Sequence, residues 1–352
     1  MILIAYNIYV FLLLFGIFIF FLSYYLTRYV RNYSLRNNVV DVPNERSSHI
    51  NPTPTGGGLA ICISILFAII IFPGSDSSIS SLKLGLAPGV LVIGIVGWLD
   101  IHREVAVVTR ALLYLLASVW AIIMLGGFSE IVIGPYLVSI GWFGSIFAVF
   151  AISWLLNLYN FMDGTDGLAS VQAISTSFYG LLFFSIVGET NASIVCGTIL
   201  LSCCAFLIWN WAPARIFMGD VGSCALGFTF GVLAVYSEIT SSIPVMCWFV
   251  LLSIFIADST FTLFRRMISG DTWYRAHNTH AYQRLVQMGM PHKLLATYVF
   301  LTNFFVLGPL AYLVWQMPKF AIPVVCSLYA VLFALWMTIH LRYQKFCIKS
   351  DS

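Results

Sequence analysis

The chain has 352 residues, of which 60% are hydrophobic and only 9% are charged, and its formal net charge is +3. This apolar share exceeds what a soluble core needs and is typical of a polytopic membrane protein. The modest positive charge fits a protein face near anionic lipids and does not favour nucleic-acid binding.

About eleven segments are apolar enough for transmembrane helices, since one span takes roughly 20 residues. They are 3–27, 56–73, 84–99, 106–125, 141–157, 167–188, 193–210, 222–237, 243–263, 294–316 and 320–341. Residues 128–140 contain two short β-type runs around Gly134 and Pro135, which predict a small outer β-hairpin. We predict an all-α polytopic membrane protein with about 11 transmembrane helices, forming a single integral-membrane domain over residues 1–352.

The basic residues predict the orientation of these spans. With alternating loops, 15 of the 17 Lys and Arg residues fall on one side, and only Lys83 and Lys319 fall on the other. The positive-inside rule places the basic side in the cytoplasm, so the N-terminus is predicted outside and the C-terminus inside. The same topology places the unusual polar loops in the cytoplasm.

The first polar loop leads from Arg46 and His49 into three glycines, Gly56–Gly58, before the second span. A Gly-rich stretch that opens a helix can present N–H groups to an anion. Arg46 and His49 are therefore candidate substrate-binding residues. The alternative is a tight Pro/Gly turn that re-enters the membrane.

Asp100 lies at the inner end of the third span. Ionisable groups at a membrane boundary are costly, and a functional role is their default interpretation. Asp100 could bind a metal or accept a proton. The alternative is an interfacial carboxylate paired with Arg103 or Arg110.

The stretch Asn157–Gly167 is the most polar part of an apolar region, with Asn157, Asn160, Asp163 and Asp166 close together. Amide and carboxylate oxygens suit a hard cation such as Mg²⁺, which retains waters and shares phosphate oxygens with a substrate. The spacing does not match an EF-hand loop. The alternative is helix capping by Asn160 or Asp163, followed by a glycine turn.

Asp220 repeats this pattern before the eighth span, and a later loop carries His277, His280 and Arg284. Two histidines and an arginine are suitable donors to a pyrophosphate, whereas the alternative for the histidines is a solvated loop. Asp258 lies within the ninth span, two helical turns before Arg265, and we expect a structural ion pair between these two residues.

Together these loops combine metal-binding oxygens and phosphate-binding donors on one face of a membrane protein. This set of groups favours phosphoryl transfer, in which catalysis depends on positioning and charge neutralisation. A transporter is the competing class, but transporters place polar groups near the bilayer midplane, often in broken helices.

At these residues the chain resembles the polyprenyl-phosphate N-acetylhexosamine-1-phosphate transferases, which include phospho-N-acetylmuramoyl-pentapeptide transferase and enzymes that initiate surface polysaccharides. The resemblance covers about residues 41–293 and includes Asn-x-x-Asn-x-x-Asp-Gly, Phe-Met-Gly-Asp-x-Gly-Ser and a histidine loop that ends at Tyr282-Gln283-Arg284. It implies a Mg²⁺-dependent reaction, with Mn²⁺ as the alternative metal. In that reaction, undecaprenyl phosphate attacks a UDP-N-acetylhexosamine and releases UMP.

The resemblance also implies roles for individual residues. Asp100, Asp163 and Asp220 are the expected catalytic residues, and Asp220 and Asn160 are the expected metal ligands. The expected substrate-binding residues are Asn157, Asp166, Phe217, His277, His280, Arg284, Arg46 and His49. Phe217 is expected to stack on uracil, and Asp100 to orient the lipid phosphate, which is largely ionised near neutral pH.

The chain departs from the family at Ile101, where a second aspartate usually follows the first. An inactive relative therefore remains an alternative. The histidine loop is similar to that of the polysaccharide-initiating branch, so UDP-GlcNAc or a 6-deoxy relative such as UDP-FucNAc is the expected donor, in O-antigen or related synthesis. The implied location is the bacterial inner membrane, with a homodimer left open and no nucleic-acid partner.

Overall fold

The computed structural model describes residues 2–43, 51–72, 77–272 and 277–350. Arg46 and His49 lie outside the described residues. The first seven helices are α1 (Ile2–Arg36), α2 (Leu59–Ile71), α3 (Ser77–His102), α4 (Val107–Met124), α5 (Trp142–Phe161), α6 (Leu168–Val187) and α7 (Thr190–Asn210). The other seven are α8 (Asp220–Ile239), α9 (Val245–Leu251), α10 (Ser253–Ile268), α11 (Ala281–Gln287), α12 (His292–Thr302), α13 (Gly308–Gln316) and α14 (Ala321–Ser350).

The described structure also contains two small antiparallel hairpins, a π-helical segment (Asn303–Leu307) and a 3-10 segment (Pro318–Phe320). Strand β1 (Val40–Asp41) pairs with β2 (Thr53–Pro54), and β3 (Glu130–Ile133) pairs with β4 (Tyr136–Ser139). The second hairpin is the one that the sequence predicts over residues 128–140, and its turn lies at Gly134 and Pro135.

Within the described ranges, nine helices are long and apolar enough to cross a membrane, or ten if the bent pair α9 and α10 forms one span. The prediction of an all-α polytopic membrane protein is confirmed, and the predicted count of eleven is approximate. The difference arises at α2, which has only 13 residues because the preceding glycines form a turn instead of extending the helix.

Helix α8 lies at the centre of the bundle, and nearly all of its residues are buried. Close approach to the first turn of α8 explains two glycines in the neighbouring elements. A Cβ atom on Gly58 would overlap the backbone of Gly222, and one on Gly97 would lie 2.6 Å from the Cα of Val221. These contacts bring α2 and α3 against the first turn of α8, so chain segments that are distant in sequence meet at one end of the bundle.

We call this end of the bundle the motif end. The opposite end is marked by Glu238 at the end of α8, whose carboxylate accepts hydrogen bonds from the backbone N–H groups of Val132 and Val245. The β3–β4 hairpin therefore lies at the end of the bundle away from Asp220, as the predicted topology requires.

Candidate active site

Asp100 and Asp220 share one arginine at the motif end. The Arg110 Nη1 atom, in the first turn of α4, lies 2.5 Å from Asp100 Oδ2 and 2.6 Å from Asp220 Oδ2. All three side chains are partly exposed. The second oxygen of Asp100 accepts a hydrogen bond from the Val105 N–H at 2.8 Å, which fixes the turn between α3 and α4.

Arg110 is one of the two partners named by the structural alternative for Asp100, and the functional role of Asp100 stays a prediction. Its ion pair is with Arg110, but the same guanidinium also holds Asp220. A pair that only anchored α3 to α4 would not need a third partner from α8. The arrangement therefore joins two of the predicted catalytic carboxylates at one cation.

Asn160 extends this group from the last turn of α5. Its Nδ2 atom donates to Cys224 Sγ at 3.2 Å, and its side chain also hydrogen bonds the Asp220 carboxylate. Asn157, one turn earlier, donates to the carbonyl of Ser153 at 2.7 Å on its own helix. The structure thus places Asn160 beside Asp220 and engages the Asn157 amide with the backbone of α5.

Asp163 lies in the turn after α5. Burial, followed by the nearby carboxylates of Asp220 and Asp166, raises the pKa of Asp163 well above its usual value. Such crowding of carboxylates is unfavourable when they are all ionised, and a bound cation relieves it. The predicted cation site at these carboxylates stays a prediction.

Asp166 lies deeper, and both of its oxygens have neighbours in the protein. One oxygen accepts a hydrogen bond from the Ala214 N–H at 3.0 Å, and the other lies 3.4 Å from His292 Nδ1. Asp166 therefore holds the motif loop against the segment that leads to Phe217. Its predicted contact with the nucleotide stays a prediction.

The glycines before α2 form a turn, which is one of the two alternatives that the sequence leaves open. The N–H groups of Gly57 and Gly58 donate to the carbonyls of Phe217 and Met218, each at 2.9 Å. The Phe217 N–H donates in turn to Pro54 at 2.8 Å. These two amides are consequently used within the protein, while the half-buried Phe217 is fixed beside Asp220.

The histidine loop is tied to the same place by Tyr282. Its hydroxyl donates to the carbonyl of Phe161 at 2.8 Å, directly before the motif turn. The rings of His277 and His280 stack with centroids 4.9 Å apart, and His280 stacks on Phe161 at 6.1 Å. The predicted histidines therefore lie beside the loop that carries Asp163.

The expected ion pair between Asp258 and Arg265 is wrong. Asp258 instead accepts hydrogen bonds from the N–H groups of Ala281 and Tyr282, at 2.8 and 3.0 Å, and from the Thr262 hydroxyl at 3.1 Å. A carboxylate at the beginning of a helix satisfies its unpaired N–H groups and interacts favourably with its dipole. Asp258 thus positions α11.

Arg284 is only 5% exposed and faces α14, where its guanidinium lies over the ring of Tyr343 at 5.1 Å. Burial and the charge of Arg265 lower the pKa of Arg284 to about 10. Burial, His280 and the charges of Arg266 and Arg265 lower the pKa of His277 to about 3. The histidine loop therefore has a positive environment and a neutral His277.

Comparison with known proteins gives a consistent result. The model of glycosyl transferase family 4 matches residues 83–238. A probable undecaprenyl-phosphate N-acetylglucosaminyl 1-phosphate transferase of Bacillus subtilis (strain 168) is 27% identical over 288 residues, covering 79% of this chain and 78% of the relative. An undecaprenyl-phosphate alpha-N-acetylglucosaminyl 1-phosphate transferase of Yersinia pestis is 25% identical over 286 residues, covering 78% of this chain and 76% of the relative. A phospho-N-acetylmuramoyl-pentapeptide-transferase of Streptococcus thermophilus (strain CNRZ 1066) is 30% identical over 200 residues, covering 52% of this chain and 58% of the relative.

Residues 83–238 match glycosyl transferase family 4, and the similarity to the two undecaprenyl-phosphate transferases extends over most of the chain. The protein is therefore an enzyme, and the transporter interpretation is not supported. The matched family segment contains the shared arginine, both carboxylates that it holds, and the Asn157–Gly167 stretch. The histidine loop lies beyond the matched segment and is joined to it by the Tyr282–Phe161 hydrogen bond.

Two residues of this site have no functional role predicted from sequence. The sequence indicates Arg110 only as a structural partner of Asp100, because its contact with Asp220 joins residues 110 positions apart. Asn210 accepts hydrogen bonds from the Gly167 N–H and the Ser170 hydroxyl and donates to the Ile216 carbonyl. A buried amide at the end of an apolar span was the available signal for Asn210.

Proposed function

We propose that this enzyme transfers N-acetylhexosamine 1-phosphate from a UDP-N-acetylhexosamine to undecaprenyl phosphate and releases UMP. The observation that carries this proposal is the convergence of Asp100 and Asp220 on Arg110, beside Asn160 and Asp163. Acids, an amide and a cation at the ends of membrane helices suit a reaction between a lipid phosphate and a soluble diphosphate. The names of the similar proteins from Bacillus subtilis and Yersinia pestis support the same reaction.

The residues fit Mg²⁺, the metal that we propose. Asp100, Asp220 and Asn160 bring oxygen donors to one place, and oxygen is the ligand atom that Mg²⁺ prefers. The described residues contain no group of three His, Cys, Asp or Glu side chains arranged to hold an ion. A site of this kind leaves coordination positions for substrate phosphate and water, which is usual for Mg²⁺. Mn²⁺ has similar ligand preferences and is the alternative.

The proposed reaction forms a bond between an oxygen of the lipid phosphate and the β-phosphorus of the donor. The bond between that phosphorus and the bridging oxygen breaks, and the oxygen leaves with UMP. Mg²⁺ held by Asp220 and Asn160 would neutralise charge on the phosphate oxygens. Arg110 adds a second positive charge and holds Asp100 and Asp220 in place. Because both Asp100 oxygens accept hydrogen bonds, orientation of the lipid phosphate is favoured over proton abstraction.

An apolar cavity of about 420 Å³ supports a lipid acceptor. It is bounded by α5, α8, α9 and α10, and it reaches Leu158, two residues before Asn160. A polyprenyl chain that lay along this cavity would bring its phosphate towards the motif end. The basic residues near the motif end favour a cytoplasmic site in the bacterial inner membrane, with a periplasmic N-terminus.

UDP-GlcNAc is the first donor to test, followed by 6-deoxy relatives such as UDP-FucNAc. The purified protein should release UMP from one or two UDP-sugars when undecaprenyl phosphate and Mg²⁺ are present. Initiation of O-antigen or another surface polysaccharide would follow from that activity. Absence of UMP release from every donor would favour the inactive-relative interpretation.

Asp220→Ala should reduce Mg²⁺-dependent UMP release by about a hundredfold or more, because it removes a carboxylate proposed as a metal ligand. Glu130→Ala is the matched control, since Glu130 is an exposed acid on β3 at the opposite end of the bundle. Unchanged activity in Asp220→Ala would contradict the metal assignment.

A further inference from the structure

The last turns of α14 present a row of three side chains to α10 and α11. Trp336, His340 and Tyr343 are spaced by four and three residues, so they lie on one face of the helix. Trp336 Nε1 donates to the Thr262 hydroxyl at 3.0 Å, and Thr262 donates to Asp258. The first residue of this row is therefore connected to the beginning of α11 by three successive hydrogen bonds, through Thr262 and Asp258.

The other two residues of the row contact arginines. His340 Nε2 lies 3.3 Å from Arg265 Nη1, and the Tyr343 ring lies under the guanidinium of Arg284. A guanidinium can only donate, so His340 accepts this hydrogen bond as a neutral imidazole that carries its proton on Nδ1. Both contacts orient a guanidinium and leave its charge intact.

The usual partner of a buried arginine is a carboxylate, which would neutralise it. Within the part of the chain that the structure describes, neither Arg265 nor Arg284 forms an ion pair. Their Nε atoms are buried and have no hydrogen-bond partner among the described residues. The closest acid on α10, Asp258, is engaged with the N-terminus of α11.

The charges of these arginines affect the histidine loop. Arg265 and Arg266 are among the causes that lower the pKa of His277, and Arg265 also lowers the pKa of Arg284. Asp271 forms an ion pair with Arg266, whereas Arg265 and Arg284 have no carboxylate at ion-pair distance among the described residues. Keeping unneutralised guanidinium groups beside two histidines costs stability, and that cost is offset when an anion binds.

We propose that His340 and Tyr343 are positioning residues for the anionic donor, a role that rests on the proposed function. They hold Arg265 and Arg284 in fixed orientations without neutralising them, so that both positive charges act on the diphosphate bound at the histidine loop. The end of α14 is then a part of the donor site that never touches the substrate.

Three substitutions at residue 343 test this role. Tyr343→Phe keeps the ring and should leave the donor KM within about twofold of wild type. Tyr343→Leu removes the ring and should raise the donor KM by about five- to tenfold, the equivalent of one cation–π contact that is only partly desolvated. Tyr343→Glu supplies a carboxylate for Arg284 and should raise the donor KM by about tenfold or more, although the helix contact is retained.

A parallel pair tests His340. His340→Gln retains a hydrogen-bond acceptor for Arg265 and should leave the donor KM close to that of wild type, whereas His340→Glu neutralises Arg265 and should raise it. In every variant, kcat and the KM for undecaprenyl phosphate should change by less than about threefold, as expected when only donor binding weakens. Leu341→Ala, an exposed position on α14, is the control for general helix damage.

The glutamate variants separate positioning from a structural role. If α14 only stabilises the fold, the carboxylates should preserve the donor KM, because they can form stronger contacts with the arginines than the native side chains do. Retention of the wild-type donor KM in Tyr343→Glu and His340→Glu would overturn the proposal. Equal effects on the donor KM, the acceptor KM and the thermal midpoint across the variants would also overturn the proposal.

Direct binding of UDP, measured by calorimetry, distinguishes failure of this proposal from failure of the proposed function. Weaker UDP binding by the two glutamate variants than by Tyr343→Phe and His340→Gln supports the positioning role, even if no donor is turned over. Equal UDP binding by all variants, or no UDP binding by wild type, overturns it. Absence of UMP release from wild type, by contrast, contradicts only the proposed reaction.

Discussion

Asp258→Asn should release the histidine loop from the active site without removing any group that is proposed to touch substrate. The Asp258 carboxylate accepts three hydrogen bonds, two from the first N–H groups of α11 and one from Thr262. An asparagine retains one acceptor oxygen, and its amide group cannot accept from the Tyr282 N–H. The substitution also removes the negative charge at the N-terminus of α11.

The magnitude follows from these contacts. One lost hydrogen bond to a charged group, with a buried donor left unpaired, costs about 2–4 kcal/mol. This cost applies to the docking of α11, and it increases the population of the undocked helix by a factor of about thirty to several hundred. Because α11 carries Tyr282, whose hydroxyl binds Phe161, undocking separates His277 and His280 from the motif turn.

The assay combines UMP release with hydrogen exchange measured by mass spectrometry. Asp258→Asn should lower kcat/KM for the donor by about tenfold or more and should speed exchange of the amides at residues 281 and 282. Asp271→Asn is the matched control, because Asp271 is an exposed acid 3.7 Å from Arg266 and such pairs contribute little. Wild-type exchange and wild-type activity in Asp258→Asn would refute this reasoning. Strong coupling between the effects of Asp258→Asn and Arg265→Met on kcat/KM in a double-mutant cycle would also refute it, because Asp258 would then act through Arg265 and not through α11.

Three further predictions concern the site. Asp100→Asn should lower kcat by about ten- to hundredfold through loss of a charged contact with Arg110, and full turnover in the purified variant would exclude that role. Gly164→Ala should destabilise the protein by about 1–3 kcal/mol, because a Cβ there would overlap the hydroxyl of the buried Tyr282. Thermal unfolding compared with Gly197→Ala, where the Cβ has room, checks this prediction. The pKa of His277 is lowered to about 3 in the folded protein, whereas an unfolded histidine is protonated below about pH 6.5. The contribution of the folded-state His277 to stability therefore falls as the pH drops from 6.5 towards 3. His277→Gln should therefore lose less thermal stability than wild type between about pH 7 and pH 5, and an equal loss in both proteins would argue against a buried neutral His277.

The helices and the main carboxylates were predictable from sequence because their signals are local. Apolar runs of membrane length give the spans, and acids at the ends of such runs stand out by their cost. The short strands around Gly134 and Pro135 were recognised in the same way. Asp100, Asp163 and Asp220 were found by this reasoning, and the structure brings them to one end of the bundle.

The partners of these residues were not predictable, because they depend on tertiary placement. Asp258 was expected to pair with Arg265 two turns away, but its donors are 23 and 24 positions later in the chain. Arg265 meets His340, which lies 75 positions away. Local spacing identifies which side chains can meet on one helix, and it carries no information on which helix end will pack beside them.

Ile101 shows how the packing of the site bears on a missing carboxylate. The Ile101 Cδ1 atom lies 3.0 Å from the position of a Cβ on Gly56, so this side chain packs against the turn before α2. The carboxylates that share Arg110 come from residues 100 and 220, on two different helices. Isoleucine at position 101 therefore leaves the pair of Asp100 and Asp220 intact. Its side chain makes an apolar contact at a place where an aspartate would introduce a charge. For this reason, the departure from the usual family pattern at residue 101 is compatible with an active enzyme whose acidic pair is Asp100 and Asp220.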